Sequence, residues 1–389
     1  MTELQQLINE LCPNGVKFVA LEECCKILDN KRKPVTKAAR QAGEYPYYGA
    51  NGIQDYVSDY IFDGIFVLVG EDGSVVTPSG NPVVNWATGK IWVNNHAHII
   101  EEKDGVLLRY LYHYLQTVNV SALIHGNIPK LTGGDFRAIK VPVPPLPVQS
   151  EIVRILDNFT ELTAELTAEL TARKQQYAHY RDTLLKLDNN VPSYTLKDIC
   201  LSIADGDHMP PPKADSGVPF ITISNITETR QIDFSNVMYV PREYYDKLAD
   251  KRKAKRDDIL YTVVGSFGIP VHISSKTEFV FQRHIAILRP NQQMIVPRYM
   301  YHIMQSTEFY KQADKAAKGA AQRTIGLSSL GNMTIPLPSI EEQKRIVAIL
   351  DRFDTLCNDI SAGLPAEIEA RQKQYEYYRD KVLTFEPAK

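Results

Sequence analysis

No stretch of this 389-residue chain is apolar for long enough to cross a bilayer. Its longest such run, Ile61 to Val69, is short and broken by Asp63 and Gly64, whereas a spanning helix needs ~18–20 apolar residues. No membrane span is expected. Cysteine is scarce: Cys12, Cys24, Cys25, Cys200 and Cys357 are odd in number and include no Cys-x-x-Cys spacing. Neither a disulfide framework nor a zinc site is suggested, which leaves buried free thiols and no metal. The chain also lacks an excess of one charge, since 44 Lys and Arg oppose 46 Asp and Glu for a net charge of -2. A basic surface is the usual electrostatic footprint of nucleic-acid binding, so any such face must be local. At the start, Met1 to Gln6 lacks the basic patch and apolar core of a secretory signal, so a cytoplasmic protein is expected.

Familiar catalytic motifs are missing too. There is no P-loop, G-x-G-x-x-G, H-E-x-x-H or G-x-S-x-G. The nearest approach to the Asn/Asp-Pro-Pro-aromatic loop of an adenine methyltransferase is Asn81-Pro82-Val83-Val84, without the second proline or the aromatic ring. Glu101-Glu102-Lys103 could serve a nuclease, but a solvated charged turn is the better reading because the repeat described next has no equivalent there.

What the chain has is 44% hydrophobic residues, 23% charged residues, and an internal repeat. The length allows two to four units, each able to bury its own core. Val141-Pro142-Val143-Pro144, Gln149 and Ile152 to Phe159 recur as Ile335-Pro336-Leu337-Pro338, Gln343 and Ile346 to Phe353. Further on, Gln176-Tyr177 and Tyr180-Arg181-Asp182 recur as Gln374-Tyr375 and Tyr378-Arg379-Asp380. Weaker echoes lie upstream, as Arg109 to Gln116 against Arg298 to Gln305, and as the strands that follow His96 and His284. The chain is therefore two tandem halves, each a globular unit followed by a strongly similar tail.

The tails are helical. From Gln149 to Leu187 apolar residues recur every three or four positions with no Gly or Pro inside. Thr-Ala-Glu-Leu repeats place Leu162, Leu166 and Leu170 along one side as a seam for a partner helix. The second tail has the same pattern, interrupted at Gly363-Leu364-Pro365, where one helix should end and the next begin at Pro365. The fold class expected is mixed α/β (α+β) globular domains, two in tandem, separated by two long helices pairing as an antiparallel coiled coil. The division is 1–145 for the first domain, 146–188 for the first helical spacer, 189–338 for the second domain and 339–389 for the second helical region.

In the globular units, β-branched and aromatic runs bounded by Gly, Asp and Pro read as strands: 65–69, 83–85, 90–93, 220–223 and 259–264. Leu107 to Val118 and Pro297 to Ala313 read as helices. Polar and basic residues cluster in the connections. Lys31, Arg32 and Lys33, then Tyr48 and Asn51, precede Asn94, Asn95 and His96, with Asn127 and Lys130 in the loop before the first Pro block. The second half offers Lys251 and Arg252, then Gln282, Arg283 and His284, then Lys318, Gln322 and Arg323 before its Pro block. Lys and Arg supply phosphate contacts, while Asn, Gln and Arg make paired hydrogen bonds to base edges. Each group also has an ordinary reading, as a solvated charge or a hydrogen-bonded strand end.

These blocks resemble the specificity subunit of type I restriction-modification systems over nearly the whole chain. The carrying features are the duplicated Pro-x-Pro…Gln…Ile-Val-x-Ile-Leu-Asp-x-Phe block, the duplicated Gln-Tyr-x-x-Tyr-Arg-Asp block, the Thr-Ala-Glu-Leu spacer, Tyr47 to Ile53, and Gln282-Arg283-His284. The resemblance implies a non-catalytic subunit that binds a bipartite, asymmetric site in double-stranded DNA through two target-recognition domains. It implies partners as well: two methyltransferase subunits and restriction-translocase subunits, which would carry S-adenosylmethionine, ATP and Mg, with no cofactor in this chain. The competing readings are a stand-alone DNA-modifying enzyme of unusual type and a coiled-coil adaptor that binds no DNA.

Overall fold

The computed structural model describes residues 3–187, 190–206, 211–320, 322–359 and 362–389. Two compact units divide the chain: Met1–Ala164 with Ala370–Lys389, and Glu165–Glu369. The chain therefore leaves the first unit inside one helix and returns to it inside another.

The first unit opens with α1 (Glu3–Leu11), β1 (Phe18–Ala20) and α2 (Leu21–Cys24). Its main sheet comprises β2 (Lys26–Ile27), β3 (Ala42–Gly49), β4 (Gly52–Val57), β5 (Phe62–Gly70), β6 (Val84–Val93) and β7 (Ala97–Glu101), in the order β2-β7-β5-β6-β3-β4. Val67, Leu68 and Val69 are all fully buried, which suits a continuous apolar run with both faces covered. The expected strands 83–85 and 90–93 are one strand, β6, paired with β5 from Phe62↔Ile91 to Val69↔Val84. Ala87 and Gly89 belong to it because a long cross-strand ladder overrides their weak strand preference. Then follow α3 (Leu108–Leu115), the short pair β8 (Ile124–His125) and β9 (Lys130–Leu131), α4 (Gly133–Ala138), and β10 (Lys140–Pro142), which pairs with β1. The helix α5 (Leu146–Leu184) begins in this unit and ends in the second.

The second unit repeats the plan. After β11 (Ser193–Thr195) and α6 (Leu196–Ile199) come β12 (Cys200–Asp205), β13 (Val218–Ile221), β14 (Met238–Val240), α7 (Arg242–Lys247), β15 (Ile259–Thr262), β16 (Pro270–His272), β17 (Val280–Phe281) and β18 (Ile285–Pro290). The order β12-β18-β15-β16 matches β2-β7-β5-β6, and β13 joins β14 and β17 in a smaller sheet. The expected helix Pro297 to Ala313 is two, α8 (Pro297–Ile303) and α9 (Thr307–Ala316). The Ser306 side chain accepts from the Phe309 amide and starts α9 as a new N-cap. After α10 (Leu327–Gly331), β19 (Thr334–Pro336) pairs with β11 as β10 does with β1. The tail is α11 (Ile340–Asn358) and α12 (Leu364–Val382). A Cβ on Gly363 would lie 2.5 Å from the Thr355 carbonyl oxygen, so only glycine fits directly before α12.

The duplicated residues are the fasteners of this scaffold. Gln149, fully buried, accepts from the Leu107 amide at 2.9 Å and donates to the carbonyls of Pro144 and Gly105. Gln343 does the same with Val296, Pro338 and Met294. Asp157 receives Arg109 and His113, and Asp351 receives Arg298 and His302. In each case the His Nε2 donates to the carboxylate, and Nδ1 accepts a tyrosine hydroxyl: Tyr375 for His113 at 3.2 Å and Tyr177 for His302 at 2.9 Å. Burial pushes His113 down to about 4 and lowers His302 as well, so both rings are neutral near pH 7. Each unit thus takes its aspartate from the tail that follows it and its tyrosine from the other tail. Phe159 stacks on Tyr378 in the first unit as Phe353 does on Tyr180 in the second.

Leu162, Leu166 and Leu170 are half-buried and the intervening glutamates Glu161, Glu165 and Glu169 are exposed. Leu170 packs on the core of the second unit. Among the described residues no helix is long and apolar enough to cross a membrane.

Candidate nucleic-acid interface

In each unit the polar connections converge on one end of the matching sheets. In the first unit the chain leaves β5 through Gly70-Glu71-Asp72-Gly73. The Glu71 amide donates to the His96 carbonyl at 2.8 Å, the Leu131 amide to the Glu71 carbonyl at 2.8 Å, and the Gly73 amide to the Pro129 carbonyl at 2.9 Å. The Asn94 amide donates to the Tyr48 carbonyl, which brings the β3–β4 turn to the same place. In the second unit the chain leaves β15 through Val263 to Gly268. The Val263 amide donates to the His284 carbonyl at 2.8 Å, and the Gly265 amide to the Arg323 carbonyl at 3.0 Å. His96 and His284 thus mark equivalent turns, and the loops before the two Pro blocks are their equivalent neighbours.

The side chains of the first unit divide into outward and inward groups. Lys31, Lys33, Asn51, Asn95, His96, Asn127 and Lys130 are exposed. The His96 ring pairs with Asp72, and Lys130 Nζ lies 3.3 Å from Glu71. Arg32 is spent inside: its guanidinium meets Glu71 at 2.6 Å, the Ala97 carbonyl at 2.7 Å and Asp29 at 3.6 Å. Tyr48 and Asn94 are buried, and Asn94 bridges the His96 amide and Gln54. Beneath them His98 lies flat on Phe136 and joins Asp29 at 2.7 Å. Burial alone would raise the Asp29 carboxyl, but the His98 hydrogen bond and charge take it below its ordinary value. Asp29, Glu71 and His98 have the donor types of a metal site, and their ligand atoms lie within 4.8 Å of one another. Arg32 and Lys130 bring two positive charges to the same carboxylates.

In the second unit Arg283, Lys318, Gln322 and Lys251 are exposed, and Gln282, His284, Arg252 and Arg323 are half-buried. Arg252 reaches Asp205 at 3.4 Å, at the edge of the same sheet end. Burial, then the charge of Arg283, lowers His284. Arg323 pairs with Asp314 at 2.6 Å and covers the Phe267 ring, which stacks on Tyr310. Gly319, at φ +114, would place a Cβ 2.5 Å from the Gln322 carbonyl oxygen, so the loop closes only with glycine there.

Sequence reasoning missed the loops that leave β5 and β15, with Asp72 in the first and Phe267, stacked on Tyr310, in the second. Their signal was a glycine directly after a buried apolar run, at Gly70 and Gly265.

A chain that twice presents a set of differing polar loops on one repeated α/β scaffold is a tandem recognition protein. It belongs to the family of type I restriction-modification specificity subunits: residues 13–173 and 189–370 match the family described as the type I restriction modification DNA specificity domain. A putative type I restriction enzyme specificity subunit of Haemophilus influenzae is 38% identical over 95% of this chain and 96% of its own length. The EcoR124I/EcoR124II specificity subunit of Escherichia coli is 36% identical over 73% of this chain and 72% of its own. The S subunit of a type I restriction-modification system from M. genitalium shares the fold, with a TM-score of 0.58 at 15% identity over 95% of this chain and 96% of that one.

Proposed function

We propose that this chain reads a bipartite, asymmetric sequence in double-stranded DNA, one half-site per unit, and carries two methyltransferase subunits and the restriction-translocase subunits of the complex. The observation that carries the reading is the equivalence of the two loop clusters, which differ in residues but occupy the same end of matching sheets. Exposed Lys31, Lys33, Lys130, Lys251 and Lys318 supply phosphate contacts, whereas Asn51, Asn95, Asn127, Arg283 and Gln322 are the base readers. Arg32, Tyr48 and Asn94 hold those loops in place.

The chain performs no chemistry in this reading. S-adenosylmethionine, ATP and Mg belong to the partner subunits, and the complex works in the cytoplasm. The helical tails, pairing as an antiparallel coiled coil, set the number of base pairs between half-sites, and the duplicated scaffold offers like surfaces to two copies of one partner. Adenine methylation of synthetic duplexes is the test: the chain alone should transfer no methyl group, and activity should appear on adding methyltransferase subunits. Methylation by the purified chain alone would overturn the reading.

A further inference from the structure

The second unit holds a cavity of about 530 Å³ at the tail-helix end of its sheet, since His272, which lines it, pairs with Ile259 at the opposite end of β15 from the reading loops. Its walls are the 229–232 turn, the segment after β16, α8 and the end of α11. Arg230 projects from the turn. Its Nε is buried with no hydrogen-bond partner, and among the described residues its guanidinium makes no ion pair. The backbone holds it there in the left-handed region, at φ 58. Around it the turn is tied down: Thr227 Oγ1 accepts from the Gln231 amide at 3.1 Å, the Thr227 amide donates to the Gln231 carbonyl at 2.9 Å, and Gln231 reaches the Asn358 carbonyl at 3.4 Å. The other arginine of the cavity, Arg298, is consumed by Asp351 and Asp354 at 2.6 and 2.7 Å.

Arg230 is half-buried, its Nε is enclosed without a hydrogen-bond partner, and a planar guanidinium fork matches a carboxylate or a phosphate. The remaining lining is mixed: Ser274, Ser275, Thr277 and Tyr301 stand beside apolar residues such as Phe234, Ile273 and Phe279, with Asp354 and Asp359 on the α11 side. Those two carboxylates would repel a second negative charge. The volume is that of a small-molecule site.

We propose that this cavity binds a small hydrophilic molecule through one carboxylate or phosphate seated on Arg230, with hydroxyl or ammonium groups turned to Asp354 and Asp359. The site is independent of DNA reading. Calorimetric titration of the full chain with sodium gluconate and with inorganic phosphate tests it, the two probes separating a carboxylate from a phosphate preference. At least one should bind in the millimolar range or tighter, and Arg230→Gly should weaken it at least tenfold. Glycine adopts φ 58 freely, so this variant keeps the fold. Arg230→Lys, which keeps the charge but loses the fork, should recover part of the affinity. Binding that persists in Arg230→Gly, or no binding of either probe, would overturn the proposal. So would a finding that Arg230→Gly impairs only assembly with methyltransferase subunits, which would make the occupant an acidic protein side chain.

Discussion

Arg32 and Arg283 look alike in the sequence, each a cation beside a polar neighbour in a loop, yet they take opposite roles. Arg32 sits between Asp29 and Glu71 with its side chain only 12% exposed. Arg32→Ala leaves those carboxylates only the exposed Lys130 and the His98 hydrogen bond, and should destabilise the first unit by about 3 kcal/mol. A urea-unfolding series should show this loss before any change in the half-site read. Arg283→Ala or Gln322→Ala should leave unfolding unchanged. In the reconstituted complex either should cost ~1–3 kcal/mol of discrimination at the half-site of the second unit alone. Lys251→Ala should weaken binding to every duplex alike and lower the salt slope by about one. Uniform loss across sequences from Arg283→Ala or Gln322→Ala would remove them from the base readers.

At the scale of elements, the duplicated Tyr-His-Asp-Arg networks and glutamine clamps explain why the tails repeat while the loops do not. The His113 ring is fully buried and held near 4, below its ordinary 6.5. As pH falls below 6.5 the unfolded chain takes up a proton that the folded ring refuses, so stability is lost from there down to about 4 and the loss then levels off. By pH 5 the loss should be about 2 kcal/mol. Urea midpoints measured from pH 7 to pH 4.5 should fall more steeply for the native chain than for His113→Gln, and equal slopes would place the acid sensitivity elsewhere. Gln149→Leu strands one amide and two carbonyls inside the first unit and should cost about 2–4 kcal/mol by the same measurement.

At the scale of the whole molecule, the chain passes between its units twice, within α5 after Ala164 and within α12 after Glu369. Deleting Thr163 to Leu166 removes ~6 Å and turns the rest of α5 by ~40° beyond a full turn, close to the rotation of one base pair. Alone, that deletion changes one of two connections and should strain the other. Paired with removal of four residues between α11 and the second unit boundary, it should keep both half-sites and shorten the preferred spacer by one base pair. Methylation of duplexes differing only in spacer length reads the outcome. An unchanged spacer would show that the helices do not set the distance. Replacing residues 1 to 140 by the corresponding unit of another member of the family should change one half-site and leave the other intact.

The repeat, the helical tails, the strands after His96 and His284, and the family were legible in the order of residues. Periodicity and duplication are local properties, and they survive without knowledge of contacts. Three-dimensional contacts decided which of the polar loop residues face outward. Arg32 and Asn94 turned inward because Glu71 and Gln54, distant in sequence, meet them across the sheet. Only the fold could exchange the tyrosines, so that Tyr375 caps His113 and Tyr177 caps His302. Hydrogen bonds between positions 262 and 125 residues apart depend on how the chain closes on itself, which no local pattern encodes.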